Sequence, residues 1–500
     1  MHMNPFHKKL SLFLVFSLLI LITNNANTGM SPFATGIKKI PNGANTNYLV
    51  DFTAAQQDVL NAFAAMRGGD KLAYELRNGT NKVLEAVKSN GNLTIEVWPG
   101  TTLTENQQII QTAMYALGPG DVLQFHQGAY GRLLRLTDGS GIYPTFSGAL
   151  GKPIVIKGYG NGEERPVITK DSDKGDLWTI NGSYIEVSYL EFKDANSWAV
   201  GFTRTRKTAE DVGTITNITI RDCVFDNSAD CSIAANTSYY HYNNILIENN
   251  VFVKSNHEFI YIGQHNGRAW GSNITIRNNF FVGNDFEHSY AIGYAIQFKR
   301  NICNSLIENN LILNMRGPGI AVYGTDDTGY PAPNDIVKPI VIRNNLVLGS
   351  GEGINTLGGP VRVYDNVAFA CKDVGMFVQD RYDDATAVRR DMDIRRNTSG
   401  FNGYDLQNST KAADYSNLGQ GSKVITDLGT GSTVTDNKYY GKDATAENVL
   451  IQRYVNTLRN MRAKPATFNA YFSDIAGNPG PYTLSQLAVK LRILVPGPVH

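Results

Sequence analysis

Ile274-Thr275-Ile276-Arg277-Asn278-Asn279-Phe280-Phe281 reads as a strand running into an asparagine turn, and the chain repeats it. Earlier copies are Ile185-Glu186-Val187-Ser188-Tyr189-Leu190-Glu191-Phe192, Ile218 to Phe225 and Ile245 to Phe252. Later copies are Leu306 to Ile312, Ile340 to Val347, Val361 to Asn366 and Met392 to Asn397. Counted from Val187, the equivalent residues are Ile220, Ile247, Ile276, Ile307, Ile342, Val363 and Ile394, at steps of 33, 27, 29, 31, 35, 21 and 31 residues. A step that varies this much excludes a rigid helical solenoid. It fits a coil of short parallel strands whose turns change length while the strands stay in register. Alternation puts Ile220 and its equivalents inside and the neighbouring Arg or Glu outside. The second Asn of each pair recurs at Asn250, Asn279, Asn310, Asn345, Asn366 and Asn397, which predicts a structural amide ladder at one turn.

A second strand falls between copies of the first: Ile233, Phe259 to Ile262, Ala295 to Lys299, Gly319 to Tyr323, Gly353 to Asn355 and Gly375 to Gln379. Period two places Ile260, Ile296, Ile320 and Met376 inside. It places Tyr261, Gln297, Lys299, Tyr323 and Gln379 on one outward face.

Either side of the repeat the pattern changes. Residues 1–26 read as a signal peptide, with a basic start at His7, Lys8 and Lys9 and an apolar run from Leu10 to Ile22. An uncleaved N-terminal anchor is the alternative. Residues 27–117 read as an N-terminal helical region and cap. Thr53 to Gln56 and Thr104 to Gln107 look like capping boxes, weaker helices are expected near Asp70 to Leu76 and Lys82 to Lys88, and Thr94 to Trp98 alternates like a strand. Residues 118–440 form the β-helix. Residues 441–500 read as a C-terminal helical cap, with an amphipathic stretch from Ala446 to Met461.

The 46 basic and 45 acidic residues leave a net charge of +1, which argues against nucleic acid held by bulk charge. No membrane contact is expected after signal cleavage, and a monomer is expected, secreted to the periplasm or beyond. Cys223, Cys231, Cys303 and Cys371 lie among apolar residues of the repeat and read as buried, unpaired thiols, with a disulfide as the alternative.

The stretches Gly118-Pro119-Gly120-Asp121-Val122-Leu123, Gly128-Ala129-Tyr130, Lys152 to Gly158 and Leu177 to Ile185 resemble the opening coils of chondroitinase B-like and alginate lyase-like β-helix proteins. The resemblance spans about residues 97–440. It implies an all-β, right-handed parallel β-helix and a secreted, polysaccharide-active protein. The Lys and Arg motif of those lyases is not present in recognisable form. Nor are the paired-aspartate and Gly-His-Gly signatures of polygalacturonase-type hydrolases.

The apolar core of such a coil is dry, so chemistry belongs on an outer face walled by insertions. Insertions follow the second strand at residues 263–272, 324–338 and 380–391. Lys299, Tyr323, His265 and Arg300 are the catalytic candidates there. Tyr261, Gln297, Arg268, Trp270, Asp326 and Arg381 are the substrate-binding candidates. Removal of the proton beside a uronate carboxylate needs a base, an acid for the leaving oxygen and a cation for the developing charge. Lys299 fits the base and Tyr323 the acid, with His265 as substitute for either, and Arg300 or Arg381 fits the carboxylate clamp. The plainer readings stand beside these: Lys299 and Arg300 as surface charges, and His265 and Asp326-Asp327 as turn residues. His257 and Glu258, at a turn entering a strand, favour a structural role. A polysaccharide lyase on a uronate polymer is thus the leading expectation. The alternatives are a C5-epimerase, a glycoside hydrolase using Asp326, Asp327, Asp383 or Asp384, and a non-catalytic carbohydrate-binding surface protein. The cofactor requirement stays open; the carboxylate-rich loops leave room for Ca2+, with no diagnostic spacing.

Overall fold

The recurring strands stack in the register their sequence implies. Val187 pairs with Ile220, Ile220 with Ile247, Ile247 with Ile276, Ile276 with Ile307, Ile307 with Ile342, Ile342 with Val363 and Val363 with Ile394, all in parallel. The computed structural model describes most of residues 54–400, with 402, 433–440, 483, 486 and three short strands before residue 50. Outside the described residues lie the rest of 1–53, the segments 134–146, 172–174, 203–212, 237–239, 264–269, 284–292, 324–337, 379–390 and 403–432, nearly all of 441–500, and residues 70, 372 and 401. The expected signal peptide and C-terminal helices therefore fall outside the described residues. No helix among the described residues is long and apolar enough to cross a membrane.

Each coil contributes one strand to each of three sheets, giving a right-handed parallel β-helix. The first sheet has 15 strands and holds the Ile-rich copies quoted above. The second has 11 strands and follows the asparagine turn, as in Val224–Ser228, Val251–Ser255 and Phe280–Val282. The third has 8 strands, among them Ile233–Ala235, Ile260–Ile262, Ile296–Phe298, Pro318–Val322 and Glu352–Thr356.

Inward residues of the three sheets meet in one continuous apolar core. Burying each Ile or Phe contributes about 1.5–3 kcal/mol. In the second sheet Phe192, Phe225, Phe252 and Phe281 stack ring on ring, at centroid separations of 5.2, 4.8 and 4.6 Å. Outside the first sheet, Glu and Arg alternate from coil to coil. Arg277 meets Glu248 at 2.8 Å and Arg343 meets Glu308 at 2.7 Å.

The asparagine pair divides its work. The first member takes the left-handed conformation, with φ of 55° at Asn249 and 54° at Asn278, Asn309 and Asn344. The second member is buried and forms the ladder. Asn279 Nδ2 donates to Asn310 Oδ1 at 3.1 Å and to the Ile247 carbonyl at 2.9 Å, while Asn310 Oδ1 also accepts the Asn279 backbone N–H. The same bonds recur from Asn250 to Asn437, across steps as short as 21 and as long as 40 residues. Short polar side chains accept positive φ and pair locally, which is why this turn is written in Asn.

The N-terminal region corrects two expectations. The helices anticipated near residues 70–76 and 82–88 are strands, Ala73–Asn78 and Asn81–Ser89, paired antiparallel with each other and then with Asn92–Val97. The helix of residues 103–116 starts at Leu103, so Thr104 lies inside it and does not cap it. Asn106 instead ties that helix down: its side chain accepts from the Gly100 N–H and donates to the Ala129 carbonyl. The first helix, Ala54–Gly68, packs Val59, Phe63 and Met66 into the core as expected. Its Arg67 pairs with Asp121, a buried carboxylate that also accepts N–H bonds from Leu93 and Gly118, each at 2.8 Å. Parallel stacking begins where Asn92–Val97 meets Val122–Phe125.

Candidate functional site

The strands of the third sheet are mostly three residues long, and alternation fails at their entrance. Phe259 and Ile260, or Ala295 and Ile296, both face the core. The residue before each pair is thereby turned outward. In register this makes a column of Asp176, Trp198, Cys231, Glu258, Tyr294, Pro318 and Glu352. Beside it runs a column of Thr179, Gly201, Ala234, Tyr261, Gln297, Ala321 and Asn355, of which Tyr261 and Gln297 were expected to face outward. Trp198, Cys231, Ala234 and Tyr261 pack together apart from the main core.

Tyr261, Gln297, Lys299 and Tyr323 share this face, as the sequence implies. Coils stack about 4.8 Å apart, so the four can meet one ligand. The Lys299 ammonium lies 4.6 Å from the Tyr323 ring centre and 5.8 Å from that of Tyr261. Such cation–π placement fixes a flexible chain. Gly263 lets the coils close here: its φ is +114°, and a Cβ on it would meet Lys299 at 3.0 Å. Gln297 Nε2 approaches the Tyr323 hydroxyl at 3.4 Å, and a side-chain hydrogen bond joins Tyr294 to Tyr323. Asn236 bonds Tyr261.

One expectation needs correction: Tyr261, Gln297 and Tyr323 point away from the core yet are buried, so this is not an open solvent face. Burial has electrostatic consequences. It raises the phenols of Tyr261 and Tyr294, keeping both protonated. It also raises the carboxyls of Asp176, Glu258 and Glu352. Gln297 Oε1 and Asn355 Oδ1 are buried with no hydrogen-bond partner. A buried acceptor without a donor costs about 1–3 kcal/mol, which a ligand hydroxyl would relieve.

The other sequence-derived residues are distributed as follows. Arg300 follows Lys299, half-buried. Trp270 stands at the corner where the first sheet resumes, stacked on His241 at 4.6 Å and donating its backbone N–H to His241 Nδ1 at 3.2 Å. His265, Arg268, Asp326, Arg381 and Gln379 lie outside the described residues, as do Asp327, Asp383 and Asp384. Sequence reasoning missed Glu258, Tyr294, Glu352 and Asn355 as site residues. The signal was there: a polar or aromatic residue stands two positions before the inward Ile or Trp at Asp176, Glu258, Tyr294 and Glu352. Among the described residues Asp230, His257 and Glu258 bring ligand atoms within 4.8 Å of one another. The four cysteines are free and buried, as expected. Burial pushes the Cys223 thiol up to about 12.

The family described as "Right handed beta helix region" matches residues 209–391. No curated protein matches the chain by sequence. Among solved structures, pectate lyase Pel9A is 15% identical, with 67% of this chain and 75% of that chain covered and a TM-score of 0.40. The PL6 family alginate lyase AlyGC is 14% identical over 70% of this chain and 51% of its own, at 0.30. The A-module of the Azotobacter vinelandii mannuronan C-5 epimerase AlgE4 is 14% identical over 68% and 91%, at 0.34. Identities and TM-scores at this level carry no argument about chemistry. The family match and the register of its own coils make this chain a right-handed parallel β-helix protein.

Proposed function

We propose that this protein is a secreted polysaccharide lyase that cleaves an acidic, uronate-containing polymer by β-elimination on the outward face of the third sheet. The observation that carries the reading is the Lys299 ammonium set between the rings of Tyr261 and Tyr323 on consecutive coils. Lys299, once its ammonium has given up a proton, takes the proton beside the uronate carboxylate on its neutral amine. Tyr323 gives its proton to the leaving oxygen; the Gln297 amide is placed to donate to its hydroxyl, and Tyr294 lies hydrogen-bonded behind it. Arg300 holds the carboxylate, with Arg381 as the alternative, and His265 is the substitute for Lys299 or Tyr323. Tyr261, Gln297 and Asn355 line the sugar path, where the unpaired acceptors of the two amides fit sugar hydroxyls. Arg268, Trp270 and Asp326 extend that path.

Glu258 and Glu352 together do not serve two-carboxylate hydrolysis. Glu258 and Glu352 sit on strands separated by two others, so stacking puts them roughly 14 Å apart. A hydrolase pair needs about 5–9.5 Å. The test is incubation with a panel of uronate polymers, reading ultraviolet absorbance and reducing ends together. Absorbing unsaturated ends support elimination. Reducing ends without absorbance establish hydrolysis, and altered uronate stereochemistry without cleavage establishes epimerisation. Export is tested separately by N-terminal sequencing of the extracellular protein, which should begin near residue 27.

A further inference from the structure

Cys231 is unlike the other three cysteines. Cys223, Cys303 and Cys371 turn their thiols to backbone carbonyls, of Arg221 at 3.2 Å, Gly271 at 3.7 Å and Phe369 at 3.8 Å. The Cys231 Sγ instead lies 3.3 Å from Asp230 Oδ1 and 3.4 Å from Glu258 Oε2. From the next coil, His257 Nδ1 comes within 3.4 Å of the same Asp230 oxygen. The four side chains leave the entrances of two paired strands, Ile233–Ala235 and Ile260–Ile262.

We infer that Asp230, His257 and Glu258, whose ligand atoms lie within 4.8 Å of one another, form a site for a divalent transition metal ion that the adjacent Cys231 thiol completes on binding, with Zn2+ the best match to the donor set. Bonds to zinc of about 2.0–2.3 Å in a tetrahedron put neighbouring ligand atoms roughly 3.3–3.6 Å apart. The three separations just given fall in that range. One thiol, one imidazole and two carboxylates suit zinc; calcium takes about six to eight oxygens and has no use for sulfur. The outer oxygen of Asp230 is already held, accepting from Trp198 Nε1 at 3.0 Å, which orients the inner one. Cys231 and Glu258 are buried, while Asp230 and His257 are partly exposed and leave a way in. The Cys231 thiol lies between the Asp230 and Glu258 carboxylates, where a bound dication would take it as a thiolate and release its proton.

This inference stands apart from the lyase reading, and its test reads the metal directly. The reduced full-length chain is titrated with Co2+ as a spectroscopic substitute. One equivalent should bind and give tetrahedral visible bands plus a near-ultraviolet thiolate charge-transfer band, both erased by Zn2+. Cys231→Ser should lose the charge-transfer band, and Cys223→Ser should keep it. His257→Ala, at a partly exposed position that leaves the fold intact, should weaken binding at least about tenfold. The inference is overturned if no stoichiometric cobalt binds, if it binds without the charge-transfer band, or if the band survives in folded Cys231→Ser. Unchanged affinity in His257→Ala would overturn it as well.

Discussion

The asparagine turn and the outer face of the third sheet are built by the same coils and treat polar groups in opposite ways. At the turn, each buried ladder amide from Asn279 to Asn397 spends its Nδ2 on a carbonyl and the next Asn, while its Oδ1 accepts two N–H groups from the previous one. On the third sheet, buried acceptors of Gln297 and Asn355 go unpaired, and burial raises the carboxyls of Glu258 and Glu352. The ladder position is satisfied and repeats, while the first Asn of the turn leaves its own Oδ1 unpaired at Asn278, Asn309 and Asn344; the third sheet differs at every coil.

The contrast can be broken from either side. The largest effect is expected at Lys299. Lys299→Ala should lower turnover about 10²–10⁴-fold with little change in melting temperature, measured as unsaturated product on the responsive polymer. Tyr323→Phe should behave alike. If both variants keep full activity, the chemistry is not on this face. Next comes Asn310→Leu, which leaves the Asn279 N–H without its acceptor, takes the side-chain donor from the Ile276 carbonyl, and removes one of two partners from Asn279 Nδ2 and from Asn345 Oδ1. At about 1–3 kcal/mol for each buried group left unpaired, with the two halved pairings adding to it, the loss should be about 3 kcal/mol in urea unfolding.

Glu352 supplies a pH-dependent test. Burial raises its carboxyl, the nearby Asp373 adds to the rise, and the Asn355 amide opposes it. The folded chain therefore keeps this proton at pH values where the unfolded chain has lost it. Its contribution to stability is full below the ordinary carboxyl range and is lost as pH rises through the raised value. Glu352→Gln should flatten that part of the stability profile; a profile unchanged by the substitution would show that burial does not raise this carboxyl. The smallest effect is expected on the outer charge ladder. Arg277→Ala breaks an exposed pair with Glu248 and should cost less than about 1 kcal/mol, seen as a minor shift in melting temperature that salt diminishes.

What was legible in the sequence follows the same divide. Inward Ile columns and the Asn ladder could be read because alternation and an amide turn each leave a mark that stacking repeats. The entrance column of Glu258, Tyr294 and Glu352 escaped because two successive inward residues break the alternation just there. The stretch Lys82-Val83-Leu84-Glu85-Ala86-Val87-Lys88 carries the good helix formers Lys, Glu, Ala and Leu. Antiparallel pairing with Tyr74 to Leu76 and Leu93 to Val97 overrides that propensity. Spacing gave no access to the approach of Cys231 to Asp230 and Glu258, since it depends on where one coil lands on the next.

The antiparallel hairpin at the N-terminal end bears on how the molecule meets copies of itself. A stack of parallel strands is an open template, and a second solenoid could continue it end to end into a filament. The rim strand Ala73–Asn78 runs with the stack, since the reversed strand is Asn81–Ser89 beneath it, but it presents Glu75 and Arg77 at the rim with Lys82 close by. Charges on an edge strand of this kind discourage pairing with another chain and work as a chain terminator. A protein trimmed to begin at the first parallel strand would be expected to polymerise.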